Sequence, residues 1–304
     1  MPGTVILIAG PTASGKSAIA VALATQLDGV VINADSMQVY ADLRVLTARP
    51  SLQEEAGVPH TLFGHIDGAV NYSTGLWLED ADRALAAARR AGQVAIICGG
   101  TGLYFKALTQ GLSAIPAVPD EIRVRLRAQA QDLPPATLHA RLAAIDPLTA
   151  AGLRPSDPQR ILRALEVFAA TGKPLASFQG RRAAPRIGPQ EMLRYFIAPE
   201  KAALHARISR RFAAMLQEGA LDEVRALAAR GLDPALPVMR AHGVPHLRAH
   251  LAGALSLDAA AELSCIDTRH YTRRQFTFGR NQLGEFCKVA PEAAVERILA
   301  DVRR

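Results

Sequence analysis

The sequence predicts an α/β fold in which a parallel sheet is covered by helices on both faces and interrupted by an all-helical insertion. Three observations predict it. Short apolar, β-branched runs at 5–9, 30–32 and 94–98 read as strands buried on both faces, and they alternate with helical stretches. A glycine-rich turn follows the first run and opens directly into a helix, the start of a βα unit. From 116 to 190 the strand pattern gives way to Ala, Leu and Arg at helical spacing between prolines, and it returns near 192. The expected division is a first part of the core over 1–115, a helical insertion over 116–190, and a second part of the core with C-terminal helices over 191–304.

Each element follows in order. Residues 4–9 form the first strand, and the helix after the turn runs from Lys16 to Leu27 on the compact pattern Ala18, Val21, Ala22, Leu23. The second strand, Val30-Val31-Ile32, ends at Asn33-Ala34-Asp35-Ser36. A helix over 75–91 leads to the third strand, which ends at Gly99-Gly100-Thr101-Gly102. Within the insertion the helices break at Pro134-Pro135, Pro147, Pro155, Pro158, Pro174 and Pro185, and Ser156-Asp157-Pro158 makes a helix start. Long helices then cover 201–229 and 259–280.

The turn itself carries chemistry. Gly10-Pro11-Thr12-Ala13-Ser14-Gly15-Lys16-Ser17 satisfies the phosphate-loop pattern G-x4-G-K-S/T between a strand and a helix, the context its mechanism requires. Its glycines let successive N–H groups curl inward, and the helix N-terminus adds partial positive charge. Lys16 would pair with the terminal phosphate, and the Ser17 hydroxyl would help to hold Mg²⁺. The pattern specifies phosphate rather than ATP. A kinase of this class ends another strand in an acidic residue that orients Mg²⁺, but the strand at 94–98 ends in Gly-Gly-Thr and the carboxylate comes at Asp35. In an open parallel sheet the carboxyl ends of strands line the ligand crevice, so Asp35 and Thr101 should both look toward the loop. A kinase, a nucleotide-switched RNA-binding protein and an enzyme acting on another diphosphate all remain open on these residues.

Charge is divided unevenly. Residues 1–117 carry 7 Lys and Arg against 9 Asp and Glu, whereas 118–304 carry 28 against 19, and 25 of those 28 cations are arginine. The planar guanidinium suits phosphates and base edges, so a polyanion larger than a nucleotide is a candidate partner, against the plainer reading of arginine-rich solvated faces. Cys98, Cys265 and Cys287 are far apart and outside any metal-binding spacing, which reads as reduced thiols. No apolar run reaches the roughly 18 residues of a membrane span, and the chain enters its first strand without a signal-peptide pattern. A cytoplasmic, membrane-free, monomeric protein is expected.

GPTASGKS, NADSMQVY, CGGTGLYFKAL, SDPQRILRALEVF, PVMRAHG and TRRQFTFGR occur in that order across nearly the whole chain. Together they resemble the tRNA dimethylallyltransferase family. The resemblance implies a fold similar to P-loop NTPases and transfer of a dimethylallyl group from dimethylallyl diphosphate to the exocyclic N6 amine of the adenosine 3′-adjacent to the anticodon, with release of pyrophosphate. The partners implied are the tRNA anticodon stem-loop and the prenyl donor, with Mg²⁺ as cofactor. Asp35 becomes the general base or the acceptor that aims the amine. Thr101 becomes a donor to the bridging oxygen or a contact to the nucleoside, and Arg240 faces the diphosphate. The target base would meet Asp35, Ser36, Met37 and Gln38, and neighbouring loop nucleotides would meet Gln159, Arg160, Ile161, Leu162 and Arg163, with Arg123 as a further RNA contact. Arg273, Arg274 and Arg280 are further candidates for gripping phosphates.

The sequence departs from the family pattern in places. Gly243 is followed by Val244-Pro245-His246 where a Gly-Tyr pair is usual, which puts the role of that tyrosine in doubt. Thr47-Ala48-Arg49 replaces a Thr-Ala-Lys ending and keeps its charge.

Overall fold

The structure is a computed structural model that describes residues 4–180 and 182–304. Its contacts divide the chain into two units, Met1–Thr109 with Pro185–Arg304, and Gln110–Ala184. The helical unit thus begins and ends earlier than the 116–190 read from the prolines. The reason lies in its stem. Ala183 donates its N–H to the Leu112 carbonyl at 2.8 Å, Ser113 and Arg182 form an antiparallel bridge, and Gly111 at φ +72° leaves room for Ala183. These contacts zip the two chain crossings together before the first helix starts.

The first unit is built on six strands. In chain order its first half comprises β1 (Val5–Ala9), α1 (Lys16–Leu27), β2 (Gly29–Asn33), α2 (Leu52–Gly57), β3 (His60–Thr61), α3 (Thr74–Arg90), β4 (Val94–Gly99) and α4 (Gly102–Gln110). The helical unit contributes α5 (Asp120–Ala130), α6 (Pro135–Ile145), α7 (Pro147–Ala151) and α8 (Pro158–Thr171). The first unit resumes with β5 (Met192–Ile197), α9 (Lys201–Gln217), α10 (Ala220–Ala229), α11 (Val244–Leu251), α12 (Leu257–Gln282), β6 (Cys287–Val289) and α13 (Ala294–Val302). The sheet order is β3-β2-β4-β1-β5-β6, and every pairing is parallel. All the strand ends that carry motifs therefore emerge on one edge.

Alternate residues of each strand face opposite sides of the sheet. Ile6, Ile8, Val31, Ile96, Cys98, Tyr195 and Ile197 pack with Ile19 and Leu23 of α1 and Ile298 of α13. Leu7, Ile32 and Ile97 are equally buried on the other face, where α3 lies against β2 and β4. Sequence reading places the helix over 201–229 as one element. Gly219, at φ +99°, breaks it into α9 and α10.

The helical unit has its own core of Leu138, Leu142, Ile161, Ala164, Leu165, Val167 and Leu175. Asp146 is fully buried there because both carboxylate oxygens are used. It accepts from Thr149 N at 3.0 Å, capping α7, and from Leu175 N at 3.1 Å. Among the described residues no helix is long and apolar enough to cross a membrane.

Candidate active site

The phosphate loop joins β1 to α1 through two left-handed residues, Ala13 at φ +63° and Gly15 at φ +86°. Gly15 stands at the N-cap of α1 and no side chain caps the helix, so the first-turn amides of α1 and its positive pole are left to an anion. A non-glycine residue held at positive φ stores strain, and such strain concentrates at ligand clamps. Lys16 donates to the Pro11 carbonyl at 3.1 Å. Burial lowers its pKa from the usual lysine value; Cys98 and Asp35 act against this and Arg211 adds to it. Beneath the lysine, burial pushes the Cys98 thiol up to about 12, so it stays neutral.

Opposite the loop, the turn after β2 is held from several sides. Asn33 is fully buried, accepts from Asp35 N at 2.8 Å and donates to the carbonyls of Asp35 and Leu62 at 3.0 Å each. The Asn33 carbonyl accepts from Trp77 Nε1 at 2.8 Å, and the Trp77 ring stacks on Tyr104 at 4.2 Å. The Asp35 carboxylate accepts from Met37 N at 3.0 Å through Oδ1. Thr101 Oγ1 accepts from Ser36 N at 2.9 Å and donates to Ser36 Oγ at 3.2 Å, and Thr101 also meets the Tyr271 hydroxyl. Gly99 is required next to it, because a Cβ there would collide with the backbone of Ala34.

Between loop and turn lies a cleft of about 320 Å³, lined entirely by residues of the first unit. Thr12, Ala13, Lys16 and Ser17 form its floor, and Asp35, Ser36, Met37 and Gln38 form one wall. Gln38 is fixed by its amide, which donates to the carbonyls of Thr47 and Ala48 at 3.0 and 2.8 Å. The remaining walls come from α9, α12 and the turn before α11. Arg211, Arg240 and Arg274 supply positive charge, and Leu46, Ile208, Phe212 and Met215 supply apolar surface. Arg211 lies deep enough that burial lowers its pKa, with Asp35 pulling the other way. The His242 ring packs against Tyr271 at 4.7 Å with a tilt of 47°, and the Arg274 guanidinium sits 5.6 Å from the Tyr271 ring.

The structure thus brings together Thr12, Ala13, Lys16, Ser17, Asp35, Ser36, Met37, Gln38, Arg240 and Arg274 of the residues expected from sequence. Gly10, Pro11, Ser14 and Gly15 shape the loop from behind, and Thr101 stands behind the lining, holding the Asp35 turn. Val244 is fully buried at the start of α11, and the cleft wall at that turn is His242. Gly243 before it sits at φ +96° against Leu46 and Phe212, so a side chain there would meet both strain and contact.

Arg123, Gln159, Arg160, Ile161, Leu162 and Arg163 belong to the helical unit. Arg160 is well exposed, Arg163 and Arg123 are partly so, and they pair with Asp157, Glu166 and Asp120 at 3.5, 3.8 and 2.7 Å. Ile161 departs from expectation. Its side chain is fully buried in the helical core, with Leu162 packed against it, so both hold α8 in place. Sequence reasoning missed Arg211, Tyr271, His242 and the apolar residues of α9. Ile208, Phe212 and Met215 recur at helical spacing, which is also the signature of an ordinary core face.

The chain is similar to known proteins over nearly its whole length. A family model described as IPP transferase matches residues 38–282, and one described as isopentenyl transferase matches residues 3–61. The tRNA dimethylallyltransferase of Methylocella silvestris is 62% identical over 297 residues, covering 98% of each chain. That of Beijerinckia indica is 58% identical over 98% of this chain and 99% of its own. Among solved structures, the tRNA isopentenylpyrophosphate transferase of Bacillus halodurans superposes with a TM-score of 0.70 at 29% identity, covering 99% of this chain and 96% of that one. A eukaryotic dimethylallyltransferase crystallised acting on tRNA gives 0.78 at 27% identity, covering 95% and 74%. A likeness that runs unbroken from the phosphate loop through the helical unit to the last helices leaves one assignment: this chain belongs to the tRNA dimethylallyltransferase family.

Proposed function

We propose that this chain transfers the dimethylallyl group of dimethylallyl diphosphate to the exocyclic N6 amine of the adenosine 3′-adjacent to the anticodon in tRNA, releasing pyrophosphate. One observation carries the reading. An anion cup and the carboxylate of Asp35 share a cleft whose other surface is cationic near Arg211 and Arg240 and apolar along α9. Such a cleft suits a donor with a polyanionic head and a hydrocarbon tail. The names of the relatives supply the acceptor class.

The chemistry follows from charge. As the C1–O bond breaks and the N6–C1 bond forms, negative charge grows on the departing diphosphate. The loop amides, Lys16 and Arg211 stabilise that charge more in the transition state than in the ground state. The amine is a weak nucleophile because its lone pair is delocalised into the purine. Its proton passes to the Asp35 carboxylate as the bond forms. Asn33 and Thr101 hold the backbone turn that carries that carboxylate, which itself accepts from Met37 N, and Tyr271 with His242 closes the wall beside it.

Among the described residues no group of three or more His, Cys, Asp or Glu could cage a metal. The Ser17 hydroxyl on the cleft floor fits a Mg²⁺ held mainly by diphosphate oxygens and water. Bound there, the ion would supply further charge neutralisation of the leaving group. Arg123, Gln159, Arg160 and Arg163 are assigned to the anticodon stem-loop, whose target base must leave its stack to reach a cleft of this depth. A single chain builds the whole cleft, which supports action as a monomer, and a tRNA substrate implies work in the cytoplasm.

The test is incubation with Mg²⁺, dimethylallyl diphosphate and unmodified tRNA, followed by mass spectrometry of the digested nucleosides, with AMP and ATP as controls. Dimethylallyl-adenosine from one tRNA position is expected. Prenylated AMP, or a phosphorylated product formed with ATP, would overturn the reading.

A further inference from the structure

The phosphate loop and the glycine turn after β4 are joined by one side chain that takes no part in the lining of the cleft. Gln275 on α12 is buried, 7% exposed, in a segment far from both in sequence. Its Oε1 accepts from Thr12 N at 2.9 Å, and its Nε2 donates to the Gly100 carbonyl at 2.9 Å. The backbone partners dictate which end of the amide faces which way, since a buried N–H requires an acceptor and a buried carbonyl a donor. Gly100 is the common neighbour of the two active groups: a Cβ on it would run into Gln275 Nε2 and stand 3.1 Å from Asp35 Oδ2. The connection thus runs from Thr12 in the cup, through the Gln275 amide, to Gly100, and from the next residue to the turn that carries Asp35, since Thr101 N donates to the Ala34 carbonyl at 3.1 Å and Thr101 Oγ1 accepts from Ser36 N at 2.9 Å.

We infer that Gln275 is a positioning residue that sets the distance between the diphosphate cup and Asp35, and so controls the transfer step rather than the binding of either substrate. The inference rests on the prenyl-transfer reading above. Its physical basis is that donor carbon and acceptor amine must meet at near-attack distance while each is held by a different part of the chain. A misplacement of about 1 Å between such parts costs on the order of 10²-fold in rate. Only an amide serves both partners at this site. A carboxylate would accept from Thr12 but repel the Gly100 carbonyl, and an apolar isostere would leave both backbone groups without a partner.

The experiment compares Gln275→Leu and Gln275→Glu with the unaltered protein in three measurements: single-turnover prenylation of tRNA, affinity for pyrophosphate and affinity for tRNA. The rate is expected to fall roughly 10²-fold in Gln275→Leu while both affinities stay within about threefold. Gln275→Glu, which preserves shape and the bond from Thr12, is expected to lose rate as well, because the bond to Gly100 is gone. A rate in both variants within a few-fold of the unaltered protein overturns the inference. So does a rate that falls only in parallel with both affinities and melting temperature, which is the mark of a purely structural side chain. If the unaltered protein prenylates no tRNA, the function proposed above fails instead, and the two failures are thereby told apart.

Discussion

Lys16 and His242 show how single side chains respond to the cleft. The Lys16 ammonium is buried at a cost that lowers its pKa, and its hydrogen bond to Pro11 is to a neutral carbonyl. A diphosphate in the cup would offset that burial with a charge-assisted bond, worth about 1.5–3 kcal/mol. Lys16→Ala is therefore expected to weaken binding of a thiolo analogue of the donor roughly 10- to 100-fold without changing tRNA affinity. Calorimetric titration checks this, and unchanged analogue affinity would contradict the cup. His242 is held below its ordinary pKa of 6.5 by burial first and Arg274 second, with Asp267 and Asp35 opposing. As pH drops it binds its proton less readily in the folded chain than in the unfolded chain. Its contribution to stability is complete above 6.5 and is lost as pH falls from there through its folded value. His205 is shifted the same way by burial and by Arg269, Lys201 and Arg273. The urea midpoint should fall between about pH 7.5 and about pH 5.5, and His242→Gln should reduce that fall. An equal fall in the variant would show that His242 is not responsible.

At the scale of elements, α8 shows what a helix can announce in sequence and what it conceals. Asp157 caps it by accepting from Arg160 N at 3.2 Å, Pro158 stands at its first position, and Gly172 ends it at φ +66°. Those signals are local, so the helix start at 156–158 is legible from spelling alone. Which face is buried is not, and Ile161 turns inward between two arginines that turn outward. Arg163 also pairs with Glu166, a buried carboxylate that Arg127 holds from the other side at 3.3 Å. Arg160, whose pair with Asp157 is exposed, is the cleaner probe of RNA binding. Replacing both Arg160 and Arg163 by Gln should weaken tRNA binding and reduce the slope of log K against log salt by roughly 0.7–0.9 for each phosphate no longer neutralised. Filter binding over a salt series checks this, and an unchanged slope would remove the arginines from the interface. Any fall in melting temperature should come from Arg163, through Glu166. Among the elements that sequence reading does not find are β3 and β6, of two and three residues. They are too short to show any period.

Over the whole molecule, the motif residues converge because every strand pairing is parallel, so loops after β1, β2 and β4 must share one edge. That much of the site follows from order and spelling: Lys16, Asp35 and the glycines around Thr101 are legible in the sequence itself. The rest comes from α9 and α12, which bring Arg211, Tyr271 and Gln275 to the cleft or behind it from more than a hundred residues away. On those helices an inward arginine or glutamine is spelled like an outward one, and only packing distinguishes them. The acceptor side divides in the same manner: the arginine-rich charge of 118–304 points to a polyanion, but pairing with nearby carboxylates decides which arginines remain available. The central claim is that the carboxylate across from the cup takes the proton from the attacking amine. It is tested most directly by Asp35→Asn, with tRNA affinity, affinity for the donor's thiolo analogue and single-turnover prenylation all measured. We predict both affinities within about threefold of the unaltered protein and a rate lower by roughly 10²- to 10⁴-fold; a rate preserved within a few-fold would contradict the claim.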